Sequence, residues 1–369
     1  MVQYIWQSPS WPDLQWDSSE LLRPLGEARQ SQGELLGMSK FFELELQVEV
    51  LTEEAFTTAA IEGERLNREE VRSSVARRLG LSVAGLPDAE RHVDGLVEML
   101  IDATRNYEDP LTSSRLKGWQ AALFPTGFSG LRRIVVGDWR RGDEPMRVVS
   151  GPIGKEKSHY EAPPSSDVER EVEEFLEWFR SSRGELDGLV RAAIAHFRFV
   201  CIHPFEDGNG RIARTITDMA LAQDEQNDCR LYSMSAQIMS ERGDYYAVLE
   251  STQRRKGDIT EWVVWFLGCL KRAIRHSAGA VEKAMTKARF WQDISHLTLN
   301  ERQLKVVNRL FDAGPGGFEG GLTNSKYRGM TGTTRETARR DMVDLTAKGV
   351  LIRNQGAGRN VNYDLSWPT

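Results

Sequence analysis

The sequence predicts a mainly α-helical chain with one short β-hairpin in its middle and a small mixed module at its C-terminus. Three observations carry that expectation. Apolar residues recur at helical spacing through most of the chain. Runs of β-branched residues before residue 295 are few and short. Beyond that point the order of segments becomes helix, helix, helix, strand, strand. The 369 residues, 40% hydrophobic and 28% charged, have the balance of an ordinary globular chain of two or three domains.

Composition removes several function classes. A net charge of −6 gives no global case for nucleic acid or an anionic membrane. No stretch approaches the roughly 18 apolar residues that a membrane helix needs. The aromatic start "MVQYIWQSPSWPDLQW" has no basic region, so no secretory signal is expected. Cys201, Cys229 and Cys269 are far apart, which fits neither a metal site nor a disulfide framework. A cytoplasmic location is the expectation. Trp6, Trp11 and Trp16 are read as buried anchors rather than a ligand-stacking surface.

The elements follow in order. Residues 1–95 are expected to be an N-terminal helical region, residues 96–280 a central domain and residues 295–369 a separate C-terminal domain. In the central part, "LRRIVVGDW" and "PMRVVSG" are short β-branched runs, and Met146 to Ala162 reads as a hairpin with an irregular tip. "DVEREVEEFLEWFRSSRG" places Val168, Val172, Phe175, Leu176 and Phe179 on one helical stripe, with Asp167 as the expected N-cap. "LDGLVRAAIAHFRFVCIH" is a second helix. Pro204 disfavours α geometry at His203, so that residue should end the helix or follow its end.

From Leu299 onward there are eleven Lys/Arg and seven Asp/Glu, so 11 − 7 gives +4, and the remainder carries −10. "NERQLKVVNRLFDAG" is a helix stopped by glycine, "LTNSKYRGMT" a short polar helix or turn. The rest is a helix capped by Thr333 or Thr334, a strand, a Gly-rich turn and a strand. That order is the one found in winged helices.

The stretch "HPFEDGNGRIAR", His203 to Arg214, concentrates chemistry. It runs from a Gly-rich loop into a helix, whose N-terminal N–H groups and dipole form an anion site. Gly208 and Gly210 allow close backbone approach, and Asn209 adds amide donors. Arg211 and Arg214 lie three apart on the first turn and reach the same anion. Asp207 beside a polyphosphate is a natural Mg²⁺ ligand. A neutral His203 could take a proton from an attacking hydroxyl. Phe205 is expected to point into the core and pin the loop.

This stretch resembles the signature of Fic-domain proteins, His-x-Phe-x-Asp/Glu-Gly-Asn-Gly-Arg-x-x-Arg, at every fixed position. The resemblance implies a helical fold with a hairpin flap, and an adenylyltransferase that moves AMP from ATP to a hydroxyl of a target protein. It implies His203 as general base and Asp207 as the Mg²⁺ ligand. Gly208, Asn209 and Gly210 would form the anion hole, with Arg211 on the phosphate chain and Arg214 on the γ-phosphate. "GDYYAVLESTQ" resembles the family's adenine-contacting segment and implies Tyr246, Leu249 and Gln253 in the base pocket; their spacing fits plain helix packing equally well. The hairpin at Met146 to Ala162 resembles the family's flap, which clamps a target's backbone by strand addition.

Upstream, Thr58-x-x-x-Glu62-Gly63 resembles the family's inhibitory motif. A glutamate there could pair with Arg214 and occupy the partner of the γ-phosphate. The segment "IWQSPSWPDLQWD" resembles the start of a bacterial Fic group that ends in a winged helix, while Trp119 stands where related sequences often have histidine. Two other readings remain beside the autoinhibited transferase. One is de-adenylylation, with Glu62 orienting water. The other is a winged-helix DNA-binding regulator with a nucleotide-sensing Fic domain, using Arg335, Arg339, Arg340 and Arg359. Expected partners are ATP and a target protein, which includes the chain itself; DNA and a homodimer are further options, and no membrane is expected.

Overall fold

A computed structural model describes residues 4–38, 44–81, 86–150, 157–314, 318–354 and 361–367. It divides into two compact units, Met1–Ala278 and Gly279–Thr369. The chain is mainly helical, and its described strands pair only as small two-stranded sheets.

The first unit begins with α1 (Ser18–Gly37), α2 (Leu44–Ile61), α3 (Arg68–Arg78), α4 (Arg91–Arg105) and α5 (Ser113–Leu123). Two hairpins follow, β1 (Phe128–Ser129) with β2 (Arg132–Arg133), and β3 (Arg147–Ser150) with β4 (Lys157–Glu161). Then come α6 (Val168–Ser181), α7 (Gly188–Ile202), α8 (Asn209–Glu225), α9 (Met234–Ser240), α10 (Arg242–Gln253) and the start of α11 (Thr260–Asp293).

The centre of this unit is α7, in which every residue from Leu189 to Ile202 is buried. A helix apolar nearly all round has no solvent face, so neighbours must cover it; α8 packs along it, with α6 on another side. Its polar members are met in part: Arg198 keeps Nε and Nη2 without a hydrogen-bond partner among the described residues. Arg191 donates to Ser182, Gln223 and the Phe179 carbonyl, His196 sits between Thr217 and Tyr245 at 3.0 Å each, and Arg198 lies over the Trp178 ring. The α6 stripe is as expected, with Val168, Val172, Phe175 and Phe179 buried. Asp167 holds the N-cap position, but its side chain makes no cap bond. It closes a 3-10 turn, Ser165–Asp167, and has αR rather than extended backbone.

The hairpin at Met146 to Ala162 forms, closed by Ala162 N–H to the Met146 carbonyl at 2.9 Å, with a register shift between Val148 and Val149. Its expected irregular tip falls on residues 151–156, outside the described residues. Of "LRRIVVGDW", only Arg132–Arg133 pairs as a strand. Trp6, Trp11 and Trp16 are half-buried. Trp6 Nε1 donates to the Glu161 carbonyl and Trp11 Nε1 to Glu171, both at 2.7 Å, so the N-terminal segment is held to β4 and α6.

In the second unit the end of α11 is followed by α12 (Glu301–Ala313), α13 (Asn324–Thr331), α14 (Arg335–Ala347), β5 (Leu351–Arg353) and β6 (Tyr363–Leu365). The caps explain the boundaries. Asn300 and Gln303 form a capping box, Thr323 and Thr334 cap α13 and α14, and Gly314 ends α12 at φ 77. Val306, Leu310, Leu322, Tyr327, Leu345 and Leu365 are among the residues of its core. The buried Asp341 is satisfied by Arg302, Asn300 and the Tyr327 hydroxyl. No helix among the described residues is long and apolar enough to cross a membrane.

Candidate active site

The quoted motif joins the end of α7 to the start of α8. His203 is the C-cap of α7, with left-handed backbone at φ 50 and ψ 57. That conformation is uncommon for a non-glycine residue. It turns the chain sharply into Pro204 and Phe205, and the fully buried Phe205 ring packs against Trp139 and Phe199. The imidazole is half-buried. Its Nδ1 lies 3.3 Å from the Val200 carbonyl. A carbonyl only accepts, so Nδ1 carries the proton and the Nε2 lone pair faces away from the helix as a base. Burial pushes the imidazole down to about 4; the Val200 carbonyl opposes this, Arg140 adds to it, and Glu62 and Asp207 oppose it. The ring is therefore neutral at physiological pH.

Gly208 caps α8 at φ 90, a backbone that glycine adopts without strain. A Cβ there would also press on Leu123 and Phe124, at 3.2 and 3.1 Å. Asn209 is used differently from the sequence expectation. Its side-chain amide is bound in both directions to Phe205, 2.9 Å from the N–H and 2.8 Å to the carbonyl. It holds the loop shut, and the donors left for an anion are the backbone N–H groups of the first turn. Asp207 accepts from the Gly208 N–H at 2.6 Å and from the Ser129 hydroxyl on β1.

Arg211 and Arg214 both lie at the ground formed by the start of α8. Both are buried, at 6% and 2% exposure, and each keeps a buried N–H without a partner among the described residues: Arg211 Nε and Arg214 Nη1. Orphaned buried donors are costly, and an anion's oxygens would satisfy them. Burial works against the Arg214 charge, but Glu62 and the neighbouring Tyr245 more than offset it, so its pKa is raised.

Two carboxylates from the end of α2 occupy this ground. The helix closes in a Schellman turn, with Gly63 N–H to the Ala60 carbonyl at 3.0 Å, Glu64 N–H to the Ala59 carbonyl at 3.1 Å and Gly63 at φ 84. The turn carries Glu62 and Glu64 to the start of α8. Glu62 Oε1 is 2.8 Å from Arg214 Nη2, while Thr58 takes the same guanidinium at 2.7 Å through its hydroxyl and 2.9 Å through its carbonyl. Glu62 also covers the helix N-terminus: a Cβ on Gly210 would lie 2.1 Å from Glu62 Oε1. Glu64, which the sequence reading passed over, is 2.8 Å from Arg211 Nη1.

The expected adenine contacts lie on one face of α10. Tyr246 is 40% exposed, and its hydroxyl is 3.4 Å from the Ile61 carbonyl, next to Glu62. Leu249 and Gln253 are buried, and Gln253 donates to the Cys201 sulfur at 3.7 Å. Tyr246 thus meets the end of α2, whereas Gln253 meets Cys201 of α7. Trp119 donates to Asp102 at 2.7 Å and is a buried structural residue.

A magnesium ion fits the donor set. Among the described residues no group of three or more His, Cys, Asp or Glu could hold a metal by itself. Mg²⁺ usually takes only one or two protein carboxylates and completes its shell with phosphate oxygens and water. The half-buried Asp207 carboxylate beside an anion site meets that need.

Residues 110–221 match the Fic/DOC family, and residues 4–81 match a domain of unknown function, DUF4172. The protein adenylyltransferase Fic of Nematostella vectensis is 31% identical over 118 residues, which is 32% of this chain and 26% of that protein. Protein adenylyltransferase fic-1 of Caenorhabditis elegans is 28% identical over 116 residues, 31% of this chain and 21% of that protein. The matched segment is thus about a quarter of the length of these curated relatives. Among solved structures, a Fic family protein from Desulfovibrio desulfuricans shares the fold with a TM-score of 0.54 at 21% identity, covering 93% of this chain and 96% of that one. A Fic domain containing signaling protein from Bacteroides thetaiotaomicron does so with a TM-score of 0.52 at 18% identity, covering 69% and 98%.

Proposed function

From the premise that this chain carries a Fic domain, we propose that it is a protein adenylyltransferase, moving AMP from ATP to a hydroxyl of a target protein, and that Glu62 inhibits it. The observation that carries this reading is the convergence at the start of α8 of a neutral imidazole, the Asp207 carboxylate and two buried guanidiniums with unmet donors. The backbone N–H groups of α8 and Arg211 bind the phosphate chain, and Arg214 takes the γ-phosphate. His203 Nε2 accepts the proton of the target hydroxyl. That oxygen bonds to the α-phosphorus, the bond from the α-phosphorus to the bridging oxygen breaks, and pyrophosphate leaves. Asp207 would hold Mg²⁺, which when bound supplies positive charge to the phosphates. Fixed donors around a developing negative charge need no reorganisation, the usual source of most of the rate.

In the arrangement described, Arg214 already has an anion. Glu62 takes its Nη2 and covers Gly210. A γ-phosphate would have to displace that carboxylate or bind elsewhere. Glu64 on Arg211 adds a second negative group to the same ground. The test is direct. The Glu62→Gly chain, incubated with Mg²⁺ and ATP, should acquire adenylyl mass on a Ser, Thr or Tyr of itself or of an added target. Adding His203→Ala should abolish it. Equal mass gain in both forms would remove His203 as the base.

A second reading is favoured by one observation. Glu62 is 34% exposed at its side chain, so water reaches the carboxylate that lies over the anion loop. It could orient a water against an AMP–protein ester, which makes de-adenylylation the reaction of the unmutated chain. Adenylylated protein made with Glu62→Gly and then given to the unmutated chain would lose AMP. No release would exclude this reading. For the second unit we read a winged helix. DNA contact would use the exposed Arg335 and Arg340, since Arg339 is paired with Glu336 at 2.9 Å and Arg359 lies outside the described residues.

A further inference from the structure

The carbonyls at the end of α7 pose a problem. A helix leaves its last carbonyls without intrahelical partners, and here they are buried rather than hydrated. Each one is answered. The Phe199 carbonyl takes the His203 N–H at 3.0 Å, and the Val200 carbonyl takes the imidazole Nδ1 at 3.3 Å. The Cys201 carbonyl takes the Tyr160 hydroxyl from β4 at 2.9 Å. The next three go to a single residue. Arg140 Nη2 is 3.5 Å from the Ile202 carbonyl, Arg140 Nε is 2.8 Å from the His203 carbonyl, and the Arg140 N–H is 2.9 Å from the Pro204 carbonyl. Its Nη2 also donates to the Pro163 carbonyl, just beyond the hairpin.

Arg140 is 4% exposed, and no carboxylate pairs with it among the described residues. A buried guanidinium held by carbonyls alone is expensive, and burial lowers its pKa to about 10. Ordinary helix capping does not call for that cost, since water or glycine serves elsewhere. What the arrangement holds is a non-glycine residue in strained left-handed backbone. That residue is His203. The planar fork, unlike an ammonium, can reach carbonyls on both sides of the turn at once.

We propose that Arg140 is the positioning residue of His203: it clamps the left-handed turn that sets the imidazole's place and its Nδ1-protonated form, and it ties that turn to the base of the β3–β4 hairpin. The inference rests on His203 being the base of the reading above. The hydrogen bonds Arg140 makes among the described residues are all to backbone carbonyls, so it acts through His203. Its charge beside the imidazole adds to the burial that disfavours the protonated ring, so the residue that fixes the place also contributes to the protonation state.

The experiment uses the full Glu62→Gly chain with Arg140→Gln, which removes charge and fork, and Arg140→Lys, which keeps charge and loses the fork. The six histidines are labelled with carbon-13 and His203 is assigned by the signal lost in His203→Ala. In Arg140→Gln the His203 titration midpoint should move up toward the ordinary histidine value; in Arg140→Lys it should stay. Both should lower kcat by about 10- to 100-fold, the effect of a small misplacement of a reacting group. The Kd for ATP should change by less than about twofold, because the α8 anion site is untouched. In both, the peptide spanning His203 should exchange its amide hydrogens faster while the rest of α7 stays protected. A structural role alone would lower stability without the split between kcat and Kd or the charge-dependent midpoint. An unmoved midpoint in Arg140→Gln, or unchanged exchange at His203 in Arg140→Lys, overturns the proposal. The titration and the exchange need no activity. If Glu62→Gly itself transfers nothing, the functional reading fails while these two measurements still decide the role of Arg140.

Discussion

At the scale of residues, ligand binding depends on which charges are already paired. Glu62 is paired with the buried Arg214, so Glu62→Gly should lower the melting temperature in buffer by leaving that guanidinium short of a partner. ATP should then stabilise this variant more than it stabilises the unmutated chain. An equal ATP shift in both proteins would show that Glu62 does not compete with nucleotide. Glu64→Gln should tighten ATP by about threefold to tenfold, the range of a partly exposed charge pair worth roughly 1 kcal/mol. Titration calorimetry reads that change, and unchanged affinity would make the Glu64–Arg211 pair a bystander.

The His203 imidazole sets a pH window. Its pKa is lowered to about 4, first by burial, so the base form dominates above about pH 5. Transfer by Glu62→Gly should hold level from pH 8 to about 5 and fall as pH drops through about 4. An acid limb near the unperturbed histidine value would contradict the neutral, Nδ1-protonated ring. The linkage has a definite sign. His203 and His196 have folded values of about 4 and about 3 against an unfolded 6.5. The unfolded chain then binds more protons between those values, so stability is full above 6.5 and is lost as pH falls toward 4 and 3.

At the scale of elements, α2 acts through its last turn. Gly63 at φ 84 lets the chain close a Schellman turn, and this delivers Glu62 and Glu64 together to the start of α8. A Cβ at Gly63 would meet nothing within 4 Å, so the cost of Gly63→Ala is backbone strain alone, on the order of 1 kcal/mol. That variant should unfold slightly earlier and transfer AMP faster than the unmutated chain; a lower melting point with no gain in activity would separate the turn from the inhibition. The same element shows what was legible in the sequence. His203 to Arg214 could be read as an anion loop because its parts are contiguous. The stripe of α6, the end of α7 at His203 and the hairpin at Met146 to Ala162 followed from periodicity and proline. Glu62 could be placed only by resemblance, since nothing local says what a distant glutamate will meet. Arg140, Ser129 and Glu64 were missed because each acts across a tertiary contact: with His203, Asp207 and Arg211. Motif spacing alone does not show that the Asn209 amide also serves the loop's own backbone.

At the scale of the whole molecule, the boundary at Gly279 separates a unit that holds the candidate chemistry from one with a positive balance. If that second unit contacts DNA, affinity should fall steeply with salt, and Arg340→Ala should weaken binding and flatten the slope by about one unit. Absence of binding to duplex DNA at low salt would leave it a docking module. The central claim is adenylyl transfer restrained by Glu62, and one measurement tests it most directly. Unmutated chain, Glu62→Gly, and Glu62→Gly with His203→Ala are each incubated with Mg²⁺ and ATP carrying label at either the α- or the γ-phosphate. Protein-bound label should come from the α-position only, strong in Glu62→Gly, weak in the unmutated chain and absent in the double variant. Label from the γ-position, or equal α-label in the unmutated and Glu62→Gly chains, would contradict it.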